Sequence, residues 1–85
     1  MTVDFCMVEF HDNRKGTSCD LQLPMNLTGN ELVRALTSAY QLPIDLNNPD
    51  EMYLRAEDPI MLISGEETIE DLGMSNGTRI FFDPR

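Results

Sequence analysis

Histidine, cysteine and positive charge are all scarce in this chain, and each scarcity removes a class of function. One histidine, His11, and two separated cysteines, Cys6 and Cys19, cannot complete a zinc site or hold an iron–sulfur cluster, both of which draw their ligands chiefly from those residue types. Two cysteines are also too few for a disulfide scaffold. Six basic residues stand against fifteen acids, for a net charge of −9. Such a field repels nucleic acid and anionic lipid. No apolar run approaches transmembrane length. The start, Met1-Thr2-Val3-Asp4, has neither the basic region nor the long apolar region of a secretory signal. These absences point to a cytoplasmic protein with no direct membrane insertion. The sequons Asn26-Leu27-Thr28 and Asn76-Gly77-Thr78 are then incidental, because a cytosolic chain does not meet the glycosylation machinery.

What remains is enough for one small domain over residues 1–85, with 41% hydrophobic residues. A chain of this size buries only about 60–65% of its unfolded surface, so the core is modest. The charge is uneven. Residues 45–85 hold ten acids against three bases, and residues 1–44 hold five against three. Two readings are open: a solvated face that keeps the domain soluble, or an acidic surface that docks a basic partner.

Val3, Phe5 and Met7 alternate with Thr2, Asp4 and Cys6, which predicts a strand. His11 to Gly16 reads as a polar turn. Cys19, Leu21 and Leu23 alternate with Asp20 and Gln22, a second strand that Pro24 ends because it has no N–H to donate. Thr28-Gly29-Asn30-Glu31 fits a capping box. Leu32, Leu36 and Ala39 follow at helical spacing, flanked by Val33 and Tyr40, and Leu42-Pro43 stops the helix. Met52–Ala56 and Ile60–Ile63 read as short strands. Thr68-Ile69-Glu70-Asp71 is a second capping signature for a very short helix ending at Gly73. Asn76-Gly77 then supplies positive φ before a last strand, Thr78 to Phe82. The predicted core takes Val3, Phe5 and Met7 from the first strand and Leu21 and Leu23 from the second. It adds Leu32 and Leu36 from the helix, Leu54 and Leu62, then Ile69, Leu72, Ile80 and Phe82.

This order, ββαββ, a short helix, then β, resembles the ubiquitin-like β-grasp over nearly the whole chain. The resemblance implies an α+β fold with a mixed sheet packed on one main helix. Within that superfamily, the segment from Ile63-Ser64-Gly65 through Thr68-Ile69-Glu70-Asp71-Leu72-Gly73 to Asn76-Gly77-Thr78-Arg79-Ile80 looks most like the small EsaB/YukD proteins. These accompany the type VII (ESX-like) secretion systems of Gram-positive bacteria. The resemblance implies a non-enzymatic accessory or regulatory protein whose partners are cytoplasmic or membrane components of that machine. It offers no catalytic residues, cofactor or metal to carry over.

The alternative in a different class is a tail-dependent sulfur or acyl carrier. That chemistry needs a sterically bare terminal glycine, and the sequence here runs Asp83-Pro84-Arg85 with no Gly-Gly; Pro is stiff and Arg bulky. A ubiquitin-like adaptor of another assembly is the further alternative. Nucleophilic catalysis has Cys6, Cys19, Ser64 and His11 to draw on, with nothing in the sequence to orient His11. If Val3, Phe5 and Met7 face the helix, Cys6 points outward and Cys19 inward, which argues against a disulfide between them. Glu66, Glu67, Glu70 and Asp71 do not follow a calcium-loop pattern; acids in the first turn of a short helix complement its dipole.

The surface is the remaining candidate. With Ile80 and Phe82 inward, Phe81 faces out. On the same phase argument the outer sheet face carries Cys6, Val8, Phe10 and Phe81, bordered by Arg55, Arg79, Asp4 and Asp83. An apolar strip with a charged rim suits protein binding. Arg14-Lys15 and Arg34 are basic spots that could meet the acidic half of a second copy, giving weak self-association.

Overall fold

Thr28 opens α1 (Gly29–Tyr40), the one α-helix among residues 4–84, which the computed structural model describes. Val3, placed above in the core, and Arg85 lie outside the described residues. The capping box forms as expected. The Thr28 hydroxyl accepts from the Glu31 N–H at 3.1 Å, and the Glu31 carboxylate accepts from the Thr28 N–H at 3.0 Å, which holds the Glu31 carboxyl below its usual range. Leu32, Val33, Leu36 and Thr37 form the buried stripe; Ala39, expected in it, is exposed. The helix stops at Gln41 in the left-handed region, two residues before Pro43.

The strands are β1 (Phe5–Asp12), β2 (Thr17–Pro24), β3 (Leu54–Glu57), β4 (Met61–Ile63) and β5 (Arg79–Phe82), with a short 3-10 turn at Pro49–Glu51. They form one sheet in the order β2-β1-β5-β3-β4. β1 and β5 run parallel at its centre, and the other pairs are antiparallel. The sheet is therefore mixed, with its inner face against α1, as the α+β reading anticipated. The second capping signature does not open the expected short helix; residues 69–73 form hydrogen-bonded turns. The Thr68 hydroxyl accepts from Asp71 N–H at 3.1 Å, and Leu72 N–H donates to Thr68 O at 2.9 Å.

The phase of β1 is the reverse of the expected one. Cys6, Val8 and Phe10 are buried, whereas Phe5 and Met7 are about half exposed. The physical reason lies further along the strand. Residues 5–8 are apolar in both phases, so they choose neither face. Glu9 and His11 share the phase of Phe5 and Met7, and an inward Glu9 would bury an unpaired charge. The strand also runs on through His11 and Asp12, which the sequence reading placed in the turn. Leu62 likewise faces out while Ile63 is buried, because register pairs Ile63 with inward Leu54. The rest of the expected core holds: Leu23, Leu32, Leu36, Leu54, Ile69, Ile80 and Phe82 are buried, with Leu21 and Leu72 packed at its margin.

Two cysteines expected on opposite faces thus share the inner one, where Cys6 pairs with Leu23 and Cys19 with Phe10. Both are free thiols. Burial pushes the Cys6 thiol pKa up. The Cys19 Sγ lies 3.0 Å from the Tyr40 hydroxyl, a hydrogen bond that raises the tyrosine's pKa.

Candidate functional site

Strand register builds the outer sheet face in rows. Ser18, His11, Phe81, Arg55 and Leu62 lie across all five strands in one line. The neighbouring line runs Asp20, Glu9, Arg79 and Glu57. Phe81, Arg55 and Arg79 therefore stand on this face, as their alternation with Ile80, Leu54 and Ala56 requires. Cys6, Val8 and Phe10, assigned to the same strip from sequence, lie beneath the sheet in the core. Their places on the face belong to Phe5, Met7, Glu9 and His11.

Phe81 is not an open apolar spot. His11 stacks on it with centroids 4.9 Å apart and planes at 24°. The Arg55 guanidinium carbon lies 4.2 Å from its centroid and that of Arg79 lies 5.9 Å away. Both cations are held in place by carboxylates. Arg55 donates to the two Asp83 oxygens at 2.7 and 3.1 Å and also pairs with Glu57. Arg79 donates to Asp58 at 2.8 Å and to Glu57 at 3.2 Å. Hydrogen bonds to Asp83, then Glu57, raise the Arg55 pKa further above its usual range. Asn13 donates to Asp83 at 2.8 Å, which ties the hairpin turn to the end of β5. The centre of the face is thus a preorganised cation–aromatic–carboxylate array, a connected network and not a set of isolated pairs.

The open apolar groups lie at two corners. Phe5 and Met7 form one, and Ile60 and Leu62 form the other; their exposures are 54%, 48%, 88% and 59%. Sequence reading could have found Met7 and Phe5 by giving Glu9 more weight than Val3.

His11 sits on β1 rather than in a turn, with Nε2 3.3 Å from a Glu9 carboxylate oxygen but without hydrogen-bond geometry. A carboxylate is near it after all, and Ser18 stands opposite it on β2. Arg14, offered above as a free basic spot, is engaged. It donates to both oxygens of buried Asp12, and its guanidinium reaches the Tyr40 and Gln41 carbonyls at 3.2 Å each. It thereby satisfies carbonyls at the end of a helix whose own last turn holds no basic residue. These contacts hold the Asp12 carboxyl below the usual range.

A shallow pocket of about 120 Å³ lies among Tyr53, Arg55, Phe81, Asp83 and Pro84, below the size that drug-sized ligands need. A larger open groove of about 580 Å³ runs between α1 and residues 46–52. Its Asn30 side chain is already committed, accepting from Gly65 N–H at 2.8 Å and donating to Glu66 at 3.1 Å. Among the described residues no group of three or more His, Cys, Asp or Glu side chains could hold a metal ion, and no helix is long and apolar enough to cross a membrane.

No protein-family model and no curated protein matches the chain. Solved structures do. The C-terminal ubiquitin-like domain of mouse tubulin-specific chaperone E superposes with a TM-score of 0.72 at 12% identity, covering 100% of this chain and 94% of that one. A ubiquitin-like domain from tubulin-binding cofactor B gives 0.73 at 20% identity, covering 94% and 89%. Caldiarchaeum subterraneum ubiquitin gives 0.59 at 17% identity, covering 96% and 98%. At these identities the likeness is one of fold, and the chain folds as a ubiquitin-like β-grasp domain.

Proposed function

We propose that this chain is a non-enzymatic docking protein that binds a protein partner through its outer sheet face. The observation that carries the reading is the arrangement of that face. Apolar side chains stand exposed at two corners; between them Arg55 and Arg79 are fixed around Phe81 by Glu57, Asp58 and Asp83, and His11 stacks on the ring. The exposed apolar groups are what a partner would cover, although the face inverts the usual order of apolar centre and polar rim; preorganised side chains lose little entropy on binding.

The finer part of the proposal is the setting. The Ile63–Ile80 segment resembles the EsaB/YukD proteins, so the partner is a cytoplasmic or membrane component of a type VII secretion machine and the chain is a cytoplasmic regulator of it. The fold supports this reading by being that of the group. A second reading is favoured by the structural neighbours from tubulin-specific chaperone E and tubulin-binding cofactor B: a ubiquitin-like adaptor serving a different assembly.

Affinity purification of the tagged protein from its native cells, after mild cross-linking, separates the two. Recovery of secretion-machine components supports the first reading. Recovery of another assembly, through the same face, overturns the secretion setting and leaves the docking function in place.

A further inference from the structure

The geometry points to a cationic, amphipathic helical segment as the partner that this face accepts. This rests on the docking reading above and specifies the chemistry of its ligand.

Charge comes first. The outer face and its adjoining turn carry Glu9, Asp20, Glu57, Asp58 and Asp83 against Arg55 and Arg79. Both arginines are already paired with carboxylates of the same face. An acidic partner would therefore meet, among the described residues of this face, no unpaired arginine and a surplus of carboxylate, within a chain whose net charge is −9. A basic partner meets Glu9 and Asp20 directly, and charge complementarity of this kind selects partners and speeds encounter.

Spacing comes second. Met7 lies on β1 and Leu62 on β4, three strands apart in the sheet order, which is about 14 Å at ordinary strand spacing. Register sets Leu62 in the row of His11, four residues along β1 from Met7, or about 13 Å. The corners are thus about 16–20 Å apart, with Ile60 at the nearer end, and an α-helix covers that span in about 11–13 residues. A helix with apolar residues near both ends and Lys or Arg between them, on the flank toward β1 and β2, places its apolar groups on both corners and its cations beside Glu9 and Asp20, which neither arginine engages.

The test is a titration of the isotope-labelled protein, followed by amide correlation spectra. The probe is a synthetic amphipathic helical peptide of about 16 residues, with Leu at both ends of one face and Lys between them. A second peptide has Glu in place of Lys. The expected result is shifts at Phe5, Met7, Glu9, Asp20 and Leu62 with the Lys peptide alone. Met7→Ser combined with Leu62→Ser weakens binding about tenfold or more. Glu9→Gln with Asp20→Asn weakens it, while Glu67→Gln with Glu70→Gln, on the helix side, does so far less. Equal loss from both charge pairs means that net charge alone attracts the peptide, and overturns the inference. So does the absence of shifts on the outer face. Binding of the Glu peptide to that face overturns it too, but leaves the docking reading standing. The docking reading fails separately, if native partners are captured equally well by the Met7→Ser and Leu62→Ser variant.

Discussion

The guanidinium of Arg55 lies 4.2 Å from the centroid of Phe81 while donating twice to Asp83. The ring is therefore a platform for fixed cations, not a bare anchor. Phe81→Asp removes the platform and places a carboxylate between Arg55 and Arg79. Ile80 and Phe82, both fully buried, still hold the strand. The expected outcome is an unchanged far-ultraviolet circular dichroism spectrum with partner capture reduced about tenfold or more. Undiminished capture counts against a role for this array.

Gly29 packs against the chain after β4. A Cβ built there lies 2.6 Å from the Ser64 carbonyl oxygen and 2.8 Å from its carbon. Backbone on both sides leaves no flexible side chain to yield. Gly29→Ala is expected to cost about 1–3 kcal/mol, despite alanine's better helix propensity. That lowers the melting temperature by about 4–8 °C per kcal/mol in a domain of this size. Thermal unfolding followed by circular dichroism checks it; an equal or higher midpoint would show that α1 can shift away from Ser64.

Asp12 supplies a pH dependence with a definite sign. Its carboxyl is held below the ordinary value by Arg14, so its folded pKa lies under its unfolded one. The stabilisation is then fully present above the unfolded value of about 3.9 and is lost as pH falls through the lower folded value. Glu31 acts in the same direction through the capping box. Urea unfolding at about pH 7 and pH 3 should show the wild type losing stability in acid. Asp12→Asn should be less stable at neutral pH and lose less on acidification. An identical acid dependence in the variant would contradict the assignment.

The phase of β1 is testable by substitution and by thiol chemistry. Phe10 is 1% exposed and its ring lies 4.9 Å from that of Tyr40. Phe10→Ala should cost about 3–5 kcal/mol, whereas Phe5→Ser on the outer face should change stability by about 0.5 kcal/mol or less. Under native conditions a disulfide reagent should modify Cys19 before Cys6, since Cys6 is the more buried and its thiol is disfavoured as thiolate.

Local chemistry was legible in the sequence where one residue decides one feature. Thr28 and Glu31 cap the helix, Pro43 lies beyond its end, Pro24 ends β2, and Gly77, at φ +92°, makes the turn before β5. The facing of β5 was legible because Ile80 and Phe82 alternate with a charged Arg79. β1 was misread because its first half is apolar on both sides, so only Glu9 and the register with β5 fix the phase. Three of the four residues of the expected apolar strip, Cys6, Val8 and Phe10, moved into the core as a result, and on β1 the exposed apolar set became Phe5 and Met7. The ion pair of Arg55 with Asp83 and the hydrogen bonds from Arg14 to the Tyr40 and Gln41 carbonyls join residues far apart in sequence, and no local pattern announces them.

Partner capture by a face variant tests the central claim most directly. Met7→Asp with Leu62→Asp alters two exposed corners of the outer face, and Ala39→Glu alters an exposed position on α1. All three proteins, with folding confirmed by circular dichroism, are used to capture partners from native extract, and the captured partner is quantified. Docking through the sheet face predicts full capture by wild type and Ala39→Glu, and loss with the double variant. Full capture by the folded double variant, or loss with Ala39→Glu in its place, would contradict the account.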